Sequence, residues 1–278
     1  MASQIDLHCH TTASDGALAP EALIDRAIER NIETLAITDH DTMAGFRQVV
    51  GYAKERGLNL IPGIELSSQW RGIGIHVVGL ALDQAHGVIV EAERSQAEVR
   101  RERAKTIAMR LEKKLQRDID FSAVEALAGG EVGRPHFAQY LVDNGMVSDR
   151  QTAFKKYLGA GKIGDVKSGW PEMETVVKWI IDSGGQAVLA HPHHYNLTRT
   201  KLLDCVAAFQ YAGGQAMEIC CGLMDTNQSG QLKKIAQDHD LLGSCGSDFH
   251  GPNKFGLDLG VMPPFPKVEE VAGVWTSF

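Results

Sequence analysis

No run among the 278 residues approaches the ~20 consecutive apolar residues that a membrane span requires. CxxC pairs are missing too. The five cysteines, Cys9, Cys205, Cys220, Cys221 and Cys245, are an odd number and poor material for a disulfide framework. A reducing cytoplasm is the expected compartment. The first functional motif is reached by residue 8, so no signal peptide is expected. Positive charge is in deficit, and a formal net charge of −7 argues against a general nucleic-acid coat protein, although a local basic patch stays compatible with it. There is no G-x-S-x-G nucleophile elbow, no phosphate-cradling P-loop, no internal repeat and no low-complexity linker. Gly72-Ile73-Gly74 is too short and too poorly placed to replace a P-loop. The remaining composition, 44% hydrophobic and 23% charged, is that of a globular chain long enough for one domain with an insertion, or for two domains.

What the chain does have is histidine in a pattern. Short apolar runs end repeatedly in His, Asp or Glu: His8-Cys9-His10 followed by Asp15, then Asp39-His40, Glu65, His76, His191, and Asp248-Phe249-His250. Six of the eleven histidines fall at such positions. Side chains at i and i+2 of a strand share a face, so His8 and His10 can grip one ion, and Asp248 and His250 can serve one site. Imidazole with carboxylate suits Mn²⁺, Fe²⁺ or Zn²⁺ rather than Ca²⁺. Nine ligands (His8, His10, Asp15, His40, Glu65, His76, His191, Asp248 and His250) are too many for one ion, so a multinuclear centre is expected. Cys9 should point to the opposite face.

Strands are predicted over 5–10, 35–38, 58–61, 73–80, 186–190, 216–219 and 242–246, alternating with helices over 20–31, 45–56, 176–183, 201–212 and 231–239. Such βαβα order implies a largely parallel sheet, with functional groups at the carboxyl ends of its strands. Between them lie a long charged helix over 91–116 and a helical stretch over 121–157, broken at Gly129-Gly130 and Gly145. A helical insertion of residues 95–168 within one α/β domain (1–94 and 169–278) is the expected organisation. Pro263-Pro264-Phe265-Pro266 is expected to be a surface turn.

Two or three ions would lower the pKa of a bridging water, so hydroxide attack on a phosphate ester is the natural use, with amide or lactone hydrolysis within reach of the same parts. Glu65, alone at its strand end, suits a carboxylate bridging two ions. The insertion holds the second cluster. Between Arg94 and Arg117 there are nine Lys or Arg against three Glu, and Arg100 and Arg103 share a helix face at i, i+3. Arg134 and His136 open a helix-like segment as phosphate donors. Lys167 is a weaker candidate, and Trp170 is either core packing or a base-stacking surface.

The motifs HCH at 8–10, TDHD at 38–41, GIE at 63–65, HVVG at 76–79, AHP at 190–192 and GSDFH at 246–250 resemble the PHP (polymerase and histidinol phosphatase) family of metal-dependent phosphoesterases along nearly the whole chain. RPHFAQYLVDNG at 134–145 and FKKYLGAGK at 154–162 look like the subgroup containing nucleoside 3′,5′-bisphosphate phosphatases and a 5′-to-3′ exoribonuclease. The resemblance implies a distorted (β/α)₇ barrel and three metal positions, often filled by manganese. Carried onto this chain, His8, His10, Glu65 and Asp248 would hold the first ion. Glu65, His76 and His191 would hold the second, and Asp15, His40 and His250 the third. The expected activity is removal of a 3′-phosphate from a nucleoside 3′,5′-bisphosphate, or stepwise cleavage of short 5′-phosphorylated RNA. Glu65 and His191 are the expected catalytic residues, with His191 and His194 the candidates for proton donor. Where the subgroup has Gly-Arg, this chain has His193-His194, so His194 becomes a shorter, pH-dependent phosphate donor. The alternatives are a histidinol-phosphate-type phosphomonoesterase and a non-catalytic, metal-stabilised binding module. No membrane and no obligate protein partner are expected.

Overall fold

Ile5–Cys9 forms β1, a strand buried on both faces because one side looks into a barrel and the other lies under helices. The computed structural model describes residues 4–167, 169–252, 256–267 and 269–278. After β1 come α1 (Pro20–Glu29), β2 (Thr34–Ile37) and α2 (Ala44–Glu55). Pro20 suits the first turn of α1, where its missing N–H would have had no helical partner. Next are β3 (Asn59–Trp70) and β4 (Ile73–Leu80), then the insertion helices α3 (Gly87–Leu115), α4 (Phe121–Ala128), α5 (Arg134–Asp143) and α6 (Arg150–Ala153), with a π-turn over Phe154–Leu158. Alternation resumes with α7 (Met173–Asp182), β5 (Gln186–Leu189), α8 (Arg199–Tyr211), β6 (Ala216–Cys221), α9 (Thr226–Asp238) and β7 (Leu242–Gly246). Among the described residues no helix is long and apolar enough to cross a membrane.

The seven strands lie in sequence order. β7 returns to β1, where the Asp248 amide donates to His8 O at 2.8 Å and the His10 amide to Phe249 O at 2.9 Å. The expected α/β barrel is therefore present and nearly closed. It is mixed rather than uniformly parallel, because β4 runs antiparallel to both β3 and β5. β3 is also three times the predicted length, 12 residues: it continues past Glu65 to Trp70 and turns back through Arg71 (φ 49°) and Gly72 (φ 74°). Two consecutive positive-φ residues make a hairpin turn that matches the twist of paired strands, and that is the role of the glycine in Gly72-Ile73-Gly74.

This hairpin corrects two expectations about position. Glu65 sits within β3 rather than at its end. His76 lies in the first half of β4, opposite Ser67, and reaches the functional rim only because its strand is reversed. His76, Val78 and Leu80 share a face, and Val78 and Leu80 pack with Val188 and Ala216 in a buried apolar cluster below the rim. α3 joins two cores. Its first turns bury Ile89 and Ala92 with the barrel residues, whereas Ala104, Ile107 and Leu111 pack against Phe137, Leu141 and Leu158 of the insertion. Residue 95 thus falls inside a continuous helix, not at a linker. Ser168, at the insertion's expected end, lies outside the described residues.

Candidate active site

All nine proposed ligands meet at one rim of the barrel. Glu65 is central and fully buried. Its Oε1 lies 2.8 Å from His76 Nδ1 and 2.9 Å from His191 Nε2. Its Oε2 faces His40 Nδ1 at 2.9 Å, His8 Nε2 at 3.3 Å and His10 Nε2 at 3.4 Å. The two oxygens of one carboxylate are thereby divided between two groups of imidazoles. Asp248 Oδ1 approaches the same Nε2 atoms of His8 and His10, at 3.5 and 3.3 Å. Asp15 gathers the third group: His250 Nε2 lies 3.2 Å from Oδ1, and His40 Nε2 lies 3.9 Å from Oδ2. His10 also belongs there, with Nδ1 3.9 Å from Asp15. His10 and His40 therefore each turn their two nitrogens toward different groups.

Chain geometry shows what is required to bring these groups together. His191 (φ 27°) and Asp248 (φ 52°) both occupy the left-handed region, a conformation costing non-glycine residues about 1–3 kcal/mol. His8 Nε2, both nitrogens of His10, Asp15 Oδ1, His40 Nδ1, Glu65 Oε2 and His191 Nδ1 are buried without a hydrogen-bond partner among the described residues. So many desolvated and unsatisfied polar atoms converging on one volume would be costly in a structural core. Their chemistry, imidazole with carboxylate, fits divalent transition-metal ions.

In the protein alone, protons balance part of this charge. Burial opposes ionisation of Glu65, but His40, His76 and His8 outweigh it and hold the carboxyl well below its usual range. Burial likewise works against charge on His250, yet Asp15 and Asp248 raise its pKa to about 10. The His10 ring stacks on it 4.0 Å away, and burial together with that neighbour lowers the His10 pKa to about 3.

Support comes from residues to which the sequence reading assigned no role. Glu218 on β6 is buried, with Oε1 2.6 Å from His8 Nδ1, while Oε2 accepts from the His191 amide at 2.5 Å. One carboxylate thus orients one imidazole and pins the strained backbone of another candidate ligand. Tyr195 hydroxyl donates to Ala190 O at 2.6 Å, and it accepts from the His76 amide at 3.1 Å. A lone glutamate in the apolar run Met217-Glu218-Ile219-Cys220 was the available signal for the first; nothing local marks the second.

A cleft of about 360 Å³ opens over His40, His76 and His191. Its far wall is formed by Arg100, Arg103, Arg134 and Lys167 of the insertion with Trp170 just beyond its end, and His194 also lines the space. These cations are not equivalent. Arg100 is buried and its guanidinium is committed to Asp41 Oδ2 at 2.6 Å, so it ties α3 to the barrel and its charge is neutralised. Asp41 also accepts from the Ser67 amide and Gln96. Arg103 has no carboxylate partner among the described residues. It donates to Val166 O and stacks over Trp170 at 4.1 Å, and burial, then Arg100, lower its pKa to about 9. Arg134 and Lys167 share the single carboxylate of Asp165, at 3.7 and 3.6 Å. The wall retains net positive charge opposite the candidate metal centre. Trp170 is mostly buried and still part of the cleft lining.

Two expectations change here. His136 does not line this cleft. Residues two apart on a helix point roughly 200° away from one another, so Arg134 and His136 at the start of α5 serve opposite sides. His194 does lie in the cleft, its ring 5.2 Å from that of His191, but burial and His191 hold its pKa below the ordinary histidine value. Its charged form is therefore less favoured than that of an exposed histidine.

Known proteins resemble this chain along nearly its whole length. Residues 6–182 match the family model described as the PHP domain. A 5′-3′ exoribonuclease of Haemophilus influenzae is 42% identical, with 100% of each chain covered. A 3′,5′-nucleoside bisphosphate phosphatase of Chromobacterium violaceum is 38% identical, covering 96% of this chain and 94% of that protein. A solved structure from Chromobacterium violaceum, described as an amidohydrolase with bound sulfate and no metal, is 36% identical with a TM-score of 0.90, covering 99% of this chain and 95% of that one.

Proposed function

The chain belongs to the PHP domain family of metal-dependent phosphoesterases, and from that premise we propose that it hydrolyses nucleotide phosphate esters. The substrate is either the 3′-phosphate of a nucleoside 3′,5′-bisphosphate or the 5′-terminal nucleotide of short 5′-phosphorylated RNA, the activities in the names of its relatives. The observation that carries this reading is the pairing of two sites across one cleft: a nine-ligand centre on the barrel rim and uncompensated cations on the facing wall. A monophosphate such as histidinol phosphate needs only the first, and so does an amide. A substrate with two phosphates uses both.

The ligand groups would be His8, His10, Glu65 and Asp248; Glu65, His76 and His191; and Asp15, His40 and His250, with His10 also within reach of the last group. Two or three divalent ions, with Mn²⁺ preferred, would supply Lewis acidity and a water acidic enough to ionise near neutral pH. Glu65 holds the centre together through its two oxygens. Arg103, Arg134 and Lys167 bind and orient the non-reacting 5′-phosphate, fixing the distance at which the second phosphate meets the ligands. His194, outside the ligand groups and stacked beside His191 in the cleft, is the imidazole that can pass a proton to the leaving 3′-oxygen. Residues 95–168 act as the recognition cap on a barrel formed by 1–94 and 169–278. Five free, buried cysteines suit a reducing cytoplasm.

The test is a substrate comparison with Mn²⁺-loaded protein: adenosine 3′,5′-bisphosphate, a short 5′-phosphorylated RNA and histidinol phosphate. Preference for either of the first two supports the reading. Preference for histidinol phosphate, or no hydrolysis of any phosphate ester, would overturn it.

A further inference from the structure

The candidate metal centre opens to a second cavity on the other side of Asp15. This space, of about 650 Å³, is larger than the basic cleft and is lined by Thr12, Gly16, Leu127, His136, Gln139 and Arg150 together with Asp15 and His250. Asp15 and Pro135 line both spaces, so the first turn of α5 and the Asp15 carboxylate form the divide between them. Two cavities therefore meet at one centre.

The second cavity is furnished for an anion with a hydrocarbon-bearing body. His136 Nδ1 accepts from the Gly133 amide at 2.9 Å, which puts the ring proton of the neutral tautomer on Nε2. That Nε2–H has no hydrogen-bond partner among the described residues. Arg150, exposed at the start of α6, makes no ion pair among them either. Leu127 and Pro252 supply apolar wall.

Resting on the nucleotide phosphoesterase reading above, we propose that this cavity is the leaving-side subsite, which holds the nucleotide on the 3′ side of the attacked phosphate in single-stranded RNA. The argument is one of exits. With the 5′-terminal nucleotide in the basic cleft, its 3′-phosphate lies at the centre. In RNA that phosphate carries another ester, to the O5′ of the next nucleoside, and the basic cleft is already filled. The second cavity is the opening that reaches Asp15 and His250 from the other side. In the reaction, water forms a new P–O bond and the P–O3′ bond breaks. The electron pair goes to O3′, which takes up the proton released by water. The products are a nucleoside 5′-monophosphate in the cleft and an RNA one nucleotide shorter, carrying a new 5′-phosphate, in the second cavity. That end can advance into the emptied cleft for the next cycle. A nucleoside bisphosphate has no second ester and leaves the cavity unused.

The experiment follows Arg150→Glu and Arg150→Lys with two substrates, adenosine 3′,5′-bisphosphate and a 5′-phosphorylated RNA pentanucleotide, at several salt concentrations with Mn²⁺. In Arg150→Glu the Michaelis constant for RNA should rise several-fold, and the slope of log KM against log salt should flatten by ~0.7, one phosphate contact on a single strand. Arg150→Lys should restore both, and bisphosphate constants should stay at the parent values throughout. Equal losses on both substrates, or none on RNA, would overturn the subsite. A parent protein that cleaves the bisphosphate but not RNA would also overturn it while leaving the proposed function standing. A parent that hydrolyses neither removes both.

Discussion

Glu65 serves both groups of imidazoles because a carboxylate has two oxygens and the barrel rim presents histidines to each. Glu65→Ala should abolish turnover while circular dichroism shows the fold retained; near-parental activity would remove its bridging role. Glu218 acts one layer further out. Glu218→Gln should weaken metal binding by about 10- to 100-fold in a calorimetric titration, the usual effect of losing an orienting carboxylate. Unchanged affinity would reduce Glu218 to packing. The charge state of His250 adds a third expectation. Its pKa of about 10 means that it is protonated in metal-free protein at pH 7.5 and must lose that proton to ligate. Metal binding at pH 7.5 should therefore release protons, seen as a dependence of the binding enthalpy on buffer ionisation, and the affinity should fall as pH is lowered. A heat independent of buffer would contradict it.

At the scale of elements, α3 does most to define the cleft, since it begins in the barrel core and ends in the insertion core. The Arg100–Asp41 pair fixes its rotation at the crossing point. Removing one partner of a buried pair leaves the other charge stranded, so Arg100→Leu should destabilise the protein by about 3–5 kcal/mol in urea unfolding. A loss below ~1 kcal/mol, the scale of an exposed pair, would mean that water reaches Asp41. By contrast Arg134 is partly exposed and held loosely. Arg134→Ala should leave stability nearly unchanged and weaken a bisphosphate substrate by about 10- to 150-fold relative to p-nitrophenyl phosphate, the loss of one charge-assisted phosphate contact. Equal losses on the two substrates would exclude Arg134 from the second phosphate site.

For the molecule as a whole, ions bridging ligands from β1, β3, β4 and the segments after β2, β5 and β7 would fasten together most of the barrel rim. A ligand that binds only the folded state at 100 times its dissociation constant stabilises by about 2.7 kcal/mol. Mn²⁺ should accordingly raise the melting temperature by roughly 5–10 °C, given about 2–4 °C per kcal/mol for a large domain, and a chelator should reverse it. No shift would mean that no ion is held.

The sequence by itself determined the candidate ligands and the order of elements, because both are written in short-range rules. The i, i+2 spacing of His8 and His10 and the apolar runs before Glu65, His191 and Asp248 are local facts. So is the switch from strand-helix alternation to helices from about residue 91, four residues past the start of α3 at Gly87. What the tertiary structure decided lies across the chain. Glu218 meets His8 over a separation of 210 residues. The reversal of β4, which carries His76 to the rim, is a pairing choice made by two neighbouring strands rather than by the eight residues of the strand itself. Arg100 and Arg103 look alike in sequence, but Asp41 claims the first and leaves the second to the cleft. Arg134 and His136 stand two residues apart in the chain, yet helical twist sends them to different cavities. Local spacing selects which groups are available; only the packing of distant segments decides which of them are neutralised, which are strained and which face the same space.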